Sequence, residues 1–359
     1  MCFAHRAIPP RPEGRGFPRN RMKSICCAAP RAFLFVLSSI LALPALAQSF
    51  PAPKEPLECI AAQKLAYPAS DRPTLEQVAK LQDCDAERLY YGLDGPANPL
   101  EARLCALSPG NEDSAQEAGI LMMLYANGVG VTRDFSLAKK AACVAGGSPM
   151  ELRGRLRHLR EMEEGKAGAA PIDICDDIAS GFMQGICADI QSELASKGRV
   201  VAMASLTANW SAAKRQAFER FKEQFDGFVT ARSNLEIDQS GTARAALLIE
   251  EERLRQDELL EELRQFEAGR LPRFSAEEYA RLDRELNLTY RDLLSAKADD
   301  SGTVTKKAVR EAQRHWLRYR EAWVTFGTIS YPGTTAAVWR GLATEKRIAM
   351  LKTLRESWD

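Results

Sequence analysis

Near the end of the chain the apolar residues fall at helical intervals. In "KKAVREAQRHWLRYREAWVTF", residues 306–326, Val309, Ala312, Trp316, Tyr319, Trp323 and Phe326 follow one another in steps of three and four. That spacing lines one side of an α-helix. Lys306, Arg310, Arg314 and Arg318 take the opposite side, and Arg320 flanks the apolar stripe. Trp316 and Trp323 belong to the periodic set, so they are expected to form the seam of a core rather than an exposed platform for a ligand. The stretch before it, "FSAEEYARLDRELNLTYRDLLSA", opens with Ser275 and Glu278 at the spacing of a capping box. Tyr279, Leu282, Leu286, Tyr290 and Leu293 then recur at helical spacing. "SYPGTT" reads as a turn, with Thr334 expected to cap a last helix running to Trp358. No stretch shows sustained alternation of the strand kind, and the spacing predicts an all-α protein.

The same reading divides the chain. Residues 48–165 form a first unit, clearest in "AGILMMLYANGVGVTRDFSLAKKAACVAGG" at 118–147. An apolar helix leads to a turn at Asn127–Gly130, and a second helix begins near Asp134. "DCDAERLYYGL" and "PLEARLCAL" supply flanking helices, and "EEGKAGAAP" at 163–171 reads as a linker. Residues 172–268 and 272–359 follow as two further units. The text of 225–263 parallels that of 316–354: an aromatic helix end leads to Gly241-Thr242 or Gly333-Thr334, then to a helix with Arg255 or Arg347 and a leucine-rich finish. These are expected to be two diverged copies of one helical hairpin unit, forming a disulfide-containing bundle after the N-terminal repeat-like domain.

The first forty-seven residues change the picture of the compartment. From Met22, Lys23 and Arg31 flank an apolar run, Ala32 to Leu43, which ends at Ala45-Leu46-Ala47. This is the pattern of a secretory signal peptide, with Met22 the candidate true start, and the run is short for a membrane span. Seven of the 49 Lys+Arg and one of the 48 Asp+Glu precede Gln48, leaving 42 against 47, a net charge of −5. A nucleic-acid binder would show a basic footprint, which is missing here. Removal of the leader also reduces nine cysteines to six: Cys59, Cys84, Cys105, Cys143, Cys175 and Cys187. An even number in an exported chain predicts disulfides. Cys105 is expected to pair with Cys143, Cys59 with Cys84, and Cys175 with Cys187 across a bend at Gly181 or Gly185. Metal binding is disfavoured, because there is no C-x-x-C and only His158 and His315 remain. Asp176-Asp177 and His315 have no spacing that announces catalysis.

Two resemblances add to this reading. Ala118-Gly119, Leu124-Tyr125, Gly128, Gly130-Val131, Asp134-Phe135, Ala138 and Ala141-Ala142 resemble one Sel-like repeat, a relative of the tetratricopeptide repeat. The C-terminal half resembles the LprI-type lysozyme inhibitor family through Cys175-Asp176 and Cys187, Leu282-Asp283, Leu286-Asn287, Tyr290, Leu293-Leu294, Ala312-Gln313-Arg314, Trp316-Leu317, Tyr319-Arg320, Ala322, Thr344, Arg347 and Leu351. It departs from that pattern in two places. A whole diverged copy lies between the cysteine pair and the "LNxxY" helix, and Trp323 stands near where the family commonly has a further cysteine. The resemblance implies a non-enzymatic, cofactor-free protein, periplasmic or secreted, without a membrane anchor once its leader is cleaved. Its implied partner is lysozyme or another cell-wall hydrolase. Contact candidates are Ser330 and Tyr331 in the loop "TISYPGTT", and Arg310 and Arg318 in the basic stripe, whose charges suit cleft carboxylates. The alternative is an envelope adaptor that presents the Sel-like surface to another protein.

Overall fold

Short polar side chains start most of the helices. Thr74, Asp85, Asn98, Asp134, Ser148, Ser180, Ser211, Ser275 and Thr305 each accept a hydrogen bond from a backbone N–H in the first turn that follows. Ser275 and Glu278 complete the expected capping box. The computed structural model describes residues 56–296 and 302–358, and the leader expected over 1–47 lies outside them. Among the described residues there are thirteen α-helices and no strand. None of these helices is long and apolar enough to cross a membrane.

The first seven helices are α1 (Leu57–Ala62), α2 (Leu75–Lys80), α3 (Ala86–Tyr91), α4 (Pro99–Ala106), α5 (Ala115–Asn127), α6 (Phe135–Ala145) and α7 (Pro149–Glu163). Helix α5 is apolar on every side, and Ile120 through Tyr125 are all buried. Such a helix can only be the centre of a core, and α3, α4 and α6 pack around it. Gly128, at φ +67°, ends α5, and Asp134 caps α6, which gives the helix–turn–helix the sequence predicts. Two disulfides hold this layer, but with different partners from those expected. Cys59 bonds Cys143, and Cys84 bonds Cys105. Helix α5 explains the difference: α4 and α6 both pack on it, while α6 turns its cysteine toward α1.

Beyond α7 the chain folds back onto the same core. The Asn127 side chain donates to Ile172 O and accepts from Ile172 N, both at 2.9 Å. Tyr91 donates its hydroxyl proton to Asp173 at 2.8 Å. Cys175 then bonds Cys187. The bend this bond requires is the non-helical turn before α8, not a kink within it. Gly181 opens α8 (Gly181–Thr207) and Gly185 lies inside it. A Cβ on Gly181 would meet the Thr242–Ala243 backbone at 2.3–2.4 Å, so only glycine admits this approach.

The remaining helices are α9 (Ala212–Glu236), α10 (Arg244–Glu267), α11 (Ala276–Ser295), α12 (Lys306–Ser330) and α13 (Ala336–Glu356). With α8 they fall into two sets of three, α8 to α10 and α11 to α13, each with a hairpin, α9–α10 or α12–α13, whose helices touch. In each set the first helix pairs with the third, α8 with α10 and α11 with α13, and the second also touches the third. The middle helices, α9 and α12, pack on each other across the sets. Every member of the periodic set from Val309 to Phe326 is buried, and Trp316 and Trp323 are 0% exposed. Trp323 stacks on Trp339 with centroids 5.8 Å apart and meets Phe221 of α9 at 4.3 Å. A Cβ on Gly327 would strike the Trp339 indole at 2.1 Å, so that glycine makes room for the third tryptophan. Thr334 does not cap α13. Thr335 holds the N-cap position, and the Thr334 hydroxyl accepts from Trp339 Nε1 at 2.9 Å.

Replacing Trp323 by alanine empties the meeting point of α9, α12 and α13. It should cost about 3–5 kcal/mol, read as a lowered midpoint of chemical denaturation in the disulfide-intact protein. A variant of unchanged stability would contradict the packing described.

Candidate functional site

The family-like residues of the C-terminal half converge from α12 and α13 on a charged cluster inside the bundle. Arg347 of α13 and Glu236 of α9 are both fully buried. The guanidinium donates from Nη1 to Glu236 Oε2 at 2.7 Å and from Nη2 to Oε1 at 2.6 Å. Its Nε donates to Gln313 Oε1 of α12 at 2.8 Å, and its plane faces the Phe228 ring at 5.6 Å. Arg232 donates to Glu236 at 3.1 Å and to Glu251 of α10 at 2.5 Å. Burial opposes the charge on Glu236, but Arg347 and Arg232 outweigh it and hold the carboxyl below the usual range. The arrangement saturates its acceptors. It has the form of a structural lock, not of a reactive pair.

The other family-like residues divide between core and surface. Leu286, Trp316, Tyr319 and Thr344 are buried, and Tyr290 is half-buried. Trp323 Nε1 donates to the Tyr319 hydroxyl at 2.7 Å. Asn287 is exposed and donates to the Asp283 carbonyl of its own helix at 2.8 Å. Arg320 lies over the Trp316 ring at 5.1 Å, with Glu321 at 3.0 Å and Asp283 at 3.6 Å. Arg255, which the internal echo aligns with Arg347, bonds Glu251 and Glu258 of its own helix instead. Sequence reasoning passed over Glu236, whose only local signal is an acid closing α9.

The contact candidates are not gathered in one place. Arg310 and Arg318 are exposed on α12, beside Arg314, which pairs with Glu311 at 2.5 Å. Tyr331 is 8% exposed and donates its hydroxyl to Glu267 at 2.7 Å. The Lys214 ammonium sits over its ring at 4.4 Å. Ser330 is half-buried, so the exposed tip of that turn is Pro332-Gly333. Asp176 and Asp177 diverge: Asp176 accepts from Asp173 N at 2.7 Å, while Asp177 meets His158 Nδ1 at 3.1 Å. Among the described residues no group of three or more His, Cys, Asp or Glu is placed to hold a metal ion.

Residues 267–351, less than a quarter of the chain, match the family model described as Lysozyme inhibitor LprI. The matched segment carries α11, α12 and most of α13. No curated protein and no solved structure matches the chain.

Removing one member of the buried pair leaves the other charged and unpartnered. Glu236→Leu or Arg347→Met alone should each cost about 3–5 kcal/mol, and the double substitution much less than their sum. A double-mutant cycle by urea denaturation reads this directly. Because the Glu236 carboxyl is held low, the stabilisation is present above the ordinary carboxylate range and falls as pH drops below it. Additive losses, or an acid transition unchanged by the double substitution, would refute the coupling.

Proposed function

We propose that this chain is an exported, non-catalytic protein that binds and inhibits lysozyme or a related cell-wall hydrolase. The observation that carries the reading is the match of residues 267–351 to a family described by lysozyme inhibition. Three disulfides accord with an oxidising compartment outside the cytosol.

The burial pattern narrows where contact would be made. The family-like residues Gln313, Trp316, Tyr319, Thr344 and Arg347 serve the interior, so they specify a rigid scaffold and not a contact surface. What this scaffold presents is the solvent face of α12, with Arg310, Arg314, Leu317 and Arg318 exposed, and the Pro332-Gly333 tip. A rigid face of this kind loses little conformational entropy on docking. Its guanidinium groups would reach carboxylates in a hydrolase cleft, the groups such an enzyme uses.

The disulfide-intact chain from Gln48 to Asp359, added to lysozyme digesting bacterial cell wall, should slow digestion in proportion to dose near equal molarity. Changing Arg310, Arg314 and Arg318 together to glutamate should weaken the effect at least about tenfold, with the circular dichroism spectrum unchanged. Undisturbed digestion by every lysozyme type tried would sink the proposal. Function would then shift to an adaptor presenting the Sel-like α5–α6 region to another envelope protein.

A further inference from the structure

Between α5 and the start of α8 lies a groove of about 740 Å³ that plays no part in the inhibitor reading. Its walls are apolar. Ile120 comes from α5, Met183 and Ile186 from α8, and Ile174 from the turn held by Asn127. The wall is close-packed at Gly119, where a Cβ would come within 3.3 Å of Ile174. Phe182, at the rim, is 71% exposed, an unusual position for so large an apolar side chain.

The two ends of the groove carry opposite unmet needs. At one end Arg155 of α7 is 2% exposed. Its Nη1 donates to Gly146 O at 2.8 Å, while Nε and Nη2 have no hydrogen-bond partner in the protein. Its helix neighbour Glu151 is already saturated. That carboxylate accepts from Ser148 N at 2.8 Å, Ala179 N at 3.0 Å, Ser180 N at 2.7 Å and Ser180 Oγ at 2.6 Å. Burial opposes its ionisation, but these bonds outweigh burial and pull its pKa down to about 2. At the other end Glu87 of α3 and Asp189 of α8 line the groove with no cation beside them there. Glu117 and Asp85 add negative charge, and Glu117 Oε2 is buried without a partner. The nearby Arg88 is committed to Asp94 and Glu193. Burial, then Asp85, Asp189, Glu117 and Glu193, push the Glu87 carboxyl up to about 7.

Ser180, which bonds Glu151 at one end, and Asp189 at the other are nine steps apart along the start of α8, about 13 Å at the helical rise. An extended chain of about four residues covers that distance. We propose that the groove is a binding site for a short extended peptide, with a basic group between Glu87 and Asp189 and a carbonyl or carboxylate oxygen on Arg155. The cation would neutralise the crowded carboxylates, and the oxygen would take the free N–H groups of Arg155, each otherwise a buried donor left unpaired. The walls would accept small apolar side chains between the two.

The test is calorimetric titration of the full disulfide-intact chain with the peptide Lys-Ala-Leu-Ala, its C-terminal amide, and Glu-Ala-Leu-Ala. Saturable binding of the lysine peptide is expected, with at least a tenfold loss for the glutamate peptide. The amide separates a carboxylate anchor, which it would weaken, from a carbonyl anchor, which it would leave intact. Ala115→Trp fills the groove from an exposed position on its rim, and Glu87→Gln removes the titrating charge. Each should weaken binding at least tenfold with the melting temperature maintained. Wild-type binding should tighten about tenfold from pH 5.5 to 8, as Glu87 loses its proton through about 7. Lysozyme inhibition, measured on the same variants, should be unchanged, which keeps the two functions separable. No saturable binding at millimolar peptide, or binding indifferent to both variants, would overturn the assignment.

Discussion

A buried ion pair sets the geometry of the C-terminal bundle. Glu236 closes α9 and Arg347 lies in the middle of α13, 111 residues later in the chain, yet both are removed from water. Taking two such charges out of water costs several kcal/mol each, and only near-ideal geometry recovers it. The bidentate contact, with Gln313 and Arg232 completing the shell, supplies that geometry. The pair therefore tolerates one register of α13 against α9 and α12. The aromatic contacts of Trp323, Trp339 and Phe221 follow from that register, and so does the need for glycine at position 327.

This constraint changes the meaning of the family-like pattern. Gln313, Trp316, Tyr319, Thr344 and Arg347 stand out as a motif when read along the sequence. In space they are the lock and the seam of a bundle whose two three-helix sets meet through α9 and α12. What the scaffold leaves outside it is the arginine face of α12 and the narrow turn after it, the surface proposed above for contact.

The N-terminal helices pose a different problem, since α5 alone is too apolar to stand at any surface. Two disulfides and the Asn127 clamp hold its neighbours in place. Helix α8 links the halves, with its first turns beside the N-terminal core and its later residues Met203 and Leu206 against the C-terminal one. The groove lies between Gly119 and Ile120 of α5 and the first turns of α8, beside the turn closed by Cys175–Cys187.

How much of this could be read from the sequence depends on the range of the interaction. The helices were legible because periodicity and capping act within a few residues: Val309 to Phe326 along one face, Ser275 with Glu278, and Asp134 after Gly128. The likeness of 225–263 to 316–354 was visible as text, and it gave no hint of the third helix that joins α9–α10 and α12–α13 in each set. Cysteine number followed from counting and Cys175–Cys187 from closeness along the chain, but the pairing of Cys59, Cys84, Cys105 and Cys143 did not, because it depends on which helices flank α5. Glu236 carried no local mark as the partner of Arg347, and the capping box of Ser148 with Glu151 gave no sign that the same carboxylate would receive the start of α8. Patterns along the chain fixed where helices form and which face each buries. Only folding decided which faces meet, since that choice rests on shape and charge brought together from distant positions.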